Sequence, residues 1–184
     1  MRPTFALLFF ALACSEDAAS VATLDASTIT LPPSAQCGAG EPQAVTATSA
    51  AHVADTVKVA YESVPPCIGD HRRSWLRWGA YDAPVAGEDY VHNLEHGGIA
   101  FLYDCPDGCE GDVKDLEAYV AAIPADDGGD FRYILAPFTG LPKRVTVVTW
   151  GRLLHLDCAD LDQIHAFKLE NYRKAPEDLG IMPP

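Results

Sequence analysis

The densest run of chemically capable side chains in the sequence is Tyr90-Val91-His92-Asn93-Leu94-Glu95-His96-Gly97-Gly98. It contains H-x-x-E-H, the pattern of one class of zinc peptidases, in which two imidazoles hold an ion and a carboxylate activates its bound water. On a helix, residues four apart share a face with Cβ atoms about 5–6 Å apart, so His92 and His96 reach one ion. On a straight strand they stand about 13 Å apart at ~3.3 Å per residue, too far for a common ligand shell. The conformation of this segment therefore decides its chemistry. Two glycines and an apolar strand directly after His96 leave little room for a long helix, so a bent loop or single turn is expected over 91–96. In that shape the rings still converge, but Glu95 has no guaranteed position as a base. It serves alternatively as an acceptor for the second ring nitrogen of a ligand histidine.

Upstream, Pro65-Pro66-Cys67-Ile68-Gly69-Asp70-His71 reads as a rigid turn that carries another histidine, and His52 lies before Val53 further back. Several imidazoles on a loop-rich surface suit copper, zinc, iron or nickel over calcium or magnesium. Met182, near the C-terminus, offers a soft thioether, which tilts the choice to copper with zinc next. The metal-ligand set read from the sequence is thus His71, His92, His96 and Met182, with His52 outside it. Glu95 is the catalytic residue should the protein be a hydrolase. His155 and His165 are assigned to ordinary polar packing, and Trp75, Trp78, Tyr81 and Tyr103 to packing or a site rim. Arg72 and Arg73 either attract an anion or pair with the chain's own carboxylates. No phosphate loop, nucleophile elbow or dinucleotide fingerprint is present.

Several elements must position these residues. Residues 98–103, Gly-Ile-Ala-Phe-Leu-Tyr, form an apolar run bounded by glycine and by Cys105-Pro106, which predicts a buried strand. A helix follows, with Asp112 as its cap, Val113, Leu116, Tyr119, Val120 and Ile123 on its apolar face and Pro124 stopping it. Further strands are expected over 131–135 and 144–150, with 153–156 continuing the second. Asp160 and Gln163 make a capping-box pattern that starts a second helix, with Leu161, Ile164, Phe167 and Tyr172 inward, ending by Pro176. Strand, helix, strand, strand, helix predicts a single α+β domain, loop-rich, with a small mixed or antiparallel sheet packed with two or more helices.

In order along the chain, His52-Val53, the Tyr61 to His71 stretch, Gly79-x-Tyr81, V-H-x-L-E-H-G at 91–97, Thr149-Trp150-Gly151 and Ala175-Pro176-Glu177 resemble the bacterial family catalogued as domain of unknown function 3105. The likeness runs from about His52 to the C-terminus. Its most specific part is the pairing of the Pro-Pro-x-x-Gly-x-His turn with V-H-x-L-E-H-G. Cys67 stands where Thr is usual in the family and Asp70 where Pro is usual. The resemblance groups His71 with His92 and His96 and implies no substrate.

The chain has 184 residues, 48% of them hydrophobic, and 13 Lys and Arg against 26 Asp and Glu, for a net charge of −13. An excess of that sign repels a phosphate backbone, so nucleic acid is excluded as a partner. Arg2, the apolar run 5–13 and the small residues before Cys14 read as an export signal over 1–13, too short for a bilayer span of ~20 residues. Ala11-Leu12-Ala13-Cys14 resembles a lipobox, so membrane lipid is the expected partner through acylated Cys14, with the protein at the periplasm or cell surface. Residues 14–51, rich in Ala, Ser, Thr and Pro, read as a flexible tether, and 52–184 as the folded domain. Exported thiols pair. Cys105 and Cys109 flank their own turn and are expected to bond, Cys37 is paired with Cys67, and Cys158 is left as a buried thiol. Three functions remain open at this point: a metal-binding protein of the cell envelope, a zinc hydrolase using H-x-x-E-H, and a non-enzymatic envelope module with structural histidines.

Overall fold

The computed structural model describes residues 29–126 and 129–178. The α+β expectation holds. Elements run β1 (Glu41–Ala44), β2 (His52–Val53), β3 (His71–Arg72), β4 (Gly79–Ala80), α1 (Gly87–Glu95), β5 (Ile99–Tyr103), α2 (Glu110–Ala122), β6 (Tyr133–Pro137), β7 (Val145–Thr149), β8 (Arg152–Leu156) and α3 (Leu161–Asn171). Six strands form one mixed sheet in the order β1-β8-β7-β5-β6-β4, and β2 pairs with β3 in a separate parallel ladder. Within the large sheet β5 and β4 run parallel to β6, and the other neighbours are antiparallel. Parallel β5 and β6 need a crossover, and α2 supplies it.

Both faces of the sheet are covered, which explains why the 99–102 run is continuously apolar instead of alternating. Ile99 and Phe101 join Leu116 and Tyr119 of α2 and Ile164 and Phe167 of α3 in one core. Ala100 and Leu102, their alternate neighbours on the pleat, join Ile134, Val148 and Leu153 against Tyr90, Val91 and Leu94 of α1. The histidine segment is thus packed on the sheet face opposite α2 and α3.

Several expectations are corrected. Residues 91–96 are no loop: they are the second half of α1 and its C-cap, His96. The glycine pair that was expected to leave little room for a long helix is what ends this nine-residue one. Gly97, at φ +82°, donates its N–H to the Leu94 carbonyl at 3.0 Å, and Gly98 donates to Asn93 at 3.0 Å, the two bonds of a Schellman stop. Gly98 is also a close backbone approach: a Cβ there would lie 2.6 Å from the Trp78 ring and 2.8 Å from the Asn93 carbonyl oxygen. At the start of α2 the capping position belongs to Cys109, not Asp112. Asp112 is committed elsewhere, accepting from the Ala159 N–H at 2.8 Å and pairing with Arg144 at 3.2 Å. Residues 144–156 form two antiparallel strands that turn at Gly151. The Asp160 cap of α3 holds: its Oδ1 accepts from the Gln163 N–H at 3.2 Å and its Oδ2 from the Gln163 side chain at 2.8 Å.

Disulfides join Cys105 to Cys109, as expected, and Cys37 to Cys158. The expected Cys37–Cys67 pair is thereby corrected, and Cys67 is the buried thiol in place of Cys158. The N-terminal segment explains the exchange. Ser34 accepts from the Leu161 N–H, Gly38 accepts from Gln163, and Gly40 donates to Gln163, which lays Cys37 across the start of α3. Cys67 lies in the core on the α1 side, with Tyr90 and Val91. Within the stretch read as a tether, Glu41–Ala44 extends the sheet by pairing with β8. The signal segment 1–13, Cys14 and Met182 lie outside the described residues.

Candidate metal centre

Three histidines are oriented by backbone carbonyls. His71 Nδ1 donates to the Gly69 carbonyl at 2.9 Å, His92 Nδ1 to Arg72 at 2.8 Å and His96 Nδ1 to Glu177 at 3.1 Å. A carbonyl oxygen only accepts, so each Nδ1 carries the hydrogen and each neutral ring presents an Nε2 lone pair. The lone pairs face other acceptors. His92 Nε2 and His96 Nε2 are 3.0 Å apart, and His71 Nε2 is 3.0 Å from a Glu95 carboxylate oxygen. His71 Nε2 is buried without a hydrogen-bond partner.

Such contacts repel unless a proton or a cation lies between the acceptors. Burial pushes the His92 pKa down to about 4, with the neighbouring His71, His96 and His52 acting in the same sense. A proton is therefore disfavoured on the His92 ring at neutral pH, and the close approach of the two Nε2 atoms is compatible with a shared cation. The spacing agrees with that: two donors bound at about 2.1 Å and separated by 90–110° lie roughly 3.0–3.4 Å apart.

A metal-compatible group is formed by His52, His71, His92 and Glu95, whose ligand atoms all lie within 4.8 Å of one another. His71 and His52 are register partners on the β3–β2 ladder, which is how a residue nineteen positions upstream enters the cluster. His92 and Glu95, three apart on α1, share a helix face. His96 stands outside this group but its Nε2 meets His92 Nε2. The structure thus places His71 and His92 in one group with His52 and Glu95, sets His96 against His92 alone, and leaves Met182 outside the described residues. His52 was the residue missed. Its presence in the ordered set His52-Val53 was the only signal, because strand pairing between 52 and 71 has no mark in so short a ladder.

The surrounding shell is built from neutral and paired groups. Trp75 lies edge to face on His96, at 4.2 Å between centroids and 88°, and on His92 at 4.9 Å. Buried Asn93 holds that tryptophan's segment by a two-way clamp on Leu76, accepting its N–H at 2.9 Å and donating to its carbonyl at 2.8 Å. Arg72, whose carbonyl orients His92, donates from Nη1 to both carboxylate oxygens of Asp89 at 2.9 and 3.0 Å; that side chain is therefore committed to the chain's own carboxylate. Carbonyls, not Glu95, orient the imidazoles, and Glu95 instead faces His71. His155 and His165 lie away from the cluster. The first bonds Thr146 and Gln43, and the second the Tyr119 hydroxyl.

The C-terminal segment closes the site. Glu177 donates its N–H to the Glu95 carbonyl at 3.1 Å, and Arg173 donates to Gly97. Arg132, buried at 2% exposure, donates to the His96 carbonyl at 2.7 Å and pairs with Asp178 at 2.8 Å and Asp126 at 3.3 Å. The stretch that supplies the His96 acceptor is thus tied to the helix end that carries His96.

Residues 52–180 match the family model described as protein of unknown function (DUF3105). No curated protein and no solved structure matches the chain.

Proposed function

Since the chain belongs to the DUF3105 family of proteins of unknown function, a membership that brings no activity with it, we propose a function from the site alone: binding of one divalent transition-metal ion. The carrying observation is the His92–His96 contact, two Nε2 atoms 3.0 Å apart whose Nδ1 hydrogens are both committed to carbonyls. His71, His92 and His96 are the proposed imidazole ligands, with His52 and Glu95 able to complete the shell and Met182 retained as a further thioether donor.

Imidazole and carboxylate donors suit copper(II) and zinc, and at a given nitrogen site copper(II) binds more tightly. Copper therefore comes first and zinc next. Binding is favoured over hydrolysis because Glu95, the base that H-x-x-E-H would use, is 3.0 Å from His71 Nε2 and within the donor group. We also propose, from Arg2, the apolar run and Cys14, that the chain is exported and anchored to lipid at Cys14. Among the described residues no helix is long and apolar enough to cross a membrane.

The test is elemental analysis and calorimetric titration with copper(II) and with zinc. About one ion per chain is expected, lost in the His71→Ala, His92→Ala double variant while the far-ultraviolet circular dichroism is kept. Well under one ion per chain for both metals, with no difference in the variant, refutes the proposal.

A further inference from the structure

The donors of the cluster are held very unequally. His71, His92 and Glu95 are buried, at 0%, 4% and 6% exposure, and the two rings are fixed through their second nitrogens on Gly69 and Arg72. His52 is exposed. Among the described residues neither of its ring nitrogens is hydrogen-bonded, so no partner selects its tautomer or ring angle. It is carried on a two-residue strand attached by the β3 ladder, by an Ala51 N–H to Asp70 bond of 2.8 Å and by a His71 N–H to Ala51 bond of 3.1 Å. Its ring still touches the cluster, with centroids 4.8 Å from His92 and 5.1 Å from His71.

Resting on the metal-binding reading, we propose that His52 is the exchange ligand of the site: it detaches first and opens one coordination position to solvent, so that the ion is taken up and handed to an incoming donor from the His52 side. His71, His92, His96 and Glu95 hold the ion throughout, because their side chains are buried and cannot leave without local unfolding. The site is in this sense built for transfer and not for permanent structural retention. The acceptor it fits is any molecule that brings a nitrogen or sulfur donor to the exposed side of the cluster.

The experiment loads the full chain with one equivalent of zinc and mixes it with increasing excess of the chromophoric chelator 4-(2-pyridylazo)resorcinol. In the unmodified protein the transfer rate is expected to level off as chelator rises, because His52 detachment becomes limiting. In His52→Ala that ceiling disappears, transfer at high chelator is about tenfold faster or more, and zinc is bound correspondingly more weakly, though still to one per chain at saturation. His52→Asn repeats the measurement with a polar side chain at the same exposed position, and is expected to behave as His52→Ala. Equal rates with the same ceiling in both variants overturn the proposal, and so does loss of stoichiometric binding, which would make His52 a holding ligand. Failure of the unmodified protein to bind zinc or copper overturns the metal-binding reading itself, and is read separately in the titration that precedes the kinetics.

Discussion

Replacing Arg132 by Met tests whether the buried guanidinium holds the C-terminal segment against the end of α1. The methionine fills much of the volume but leaves three partners: the His96 carbonyl at 2.7 Å, Asp178 at 2.8 Å and Asp126 at 3.3 Å. The His96 carbonyl and Asp126 accept hydrogen bonds, and Asp178 is an ion pair outside hydrogen-bond geometry; at about 1.5–3 kcal/mol for each hydrogen bond to a charged group the two give about 3–6 kcal/mol, with the Asp178 pair besides. Two discounts apply. The Asp178 and Asp126 side chains are 18% and 16% exposed and recover part of their hydration, and the guanidinium's own burial is costly in the native protein. The expected loss is then about 3–5 kcal/mol, the usual cost of orphaning the partners of a buried charge. For a chain of this length each kcal/mol shifts Tm by roughly 2–4 °C, so calorimetry of the metal-free protein should show a fall of about 6–20 °C. Adding Asp178→Asn should restore about 1–2 kcal/mol, because it removes one of the stranded charges. A fall of under 2 °C, or a double variant less stable than the sum of the single ones, would refute the assignment of this network as the clamp on residues 173–178.

Three further outcomes are expected. Cys37→Ser with Cys158→Ser opens a loop of sequence separation 121 and should cost up to about 5 kcal/mol on loop-entropy grounds, while non-reducing peptide mapping of the unmodified protein should recover the Cys37–Cys158 peptide and alkylate Cys67 only after unfolding. Gly98→Ala should lower stability by about 2–3 kcal/mol, measured by urea unfolding, since its Cβ meets both Trp78 and the Asn93 carbonyl. The metal-free protein should lose stability as pH falls from 7 to 5: the unfolded chain protonates His92 near pH 6.5 but the folded one only near 4, so the native contribution is complete above pH 6.5 and is lost as pH drops toward 4. The loss by pH 5 is about 1–2 kcal/mol after allowing for water near the ring. His155 and His165, also pushed down by burial, act in the same sense, and a urea midpoint that stays constant or rises on acidification would contradict the assignment.

Local periodicity made the strand at Ile99, the helix faces of Leu116 and Ile164 and the Asp160 cap legible, because each is set by residues within a few positions. The failures were all non-local or two-edged. Gly97-Gly98 breaks a helix and also completes one, and only the preceding turn from Gly87 decides between these roles. Asp112 has the chemistry of a cap, but an Ala159 N–H 47 residues away claims its oxygen. Cys37 follows the N-terminal segment onto α3, a path marked in the sequence by no more than Ser34 and Gln163. In the site, the two histidines of α1 were readable from their spacing of four. The acceptors on Gly69, Arg72 and Glu177 were not, since every residue offers a carbonyl and only the fold chooses which one an imidazole meets.

The carbonyl of Glu177, which orients His96 from 81 positions further along, carries a consequence for biosynthesis. During translation His52, His71, His92 and His96 all leave the ribosome well before Glu177 does, so a nascent chain has the imidazoles without the group that aims the last of them. On the proposed metal-binding reading, ion capture by incomplete chains is thereby weakened, and loading is deferred to molecules in which Glu177 has already met His96.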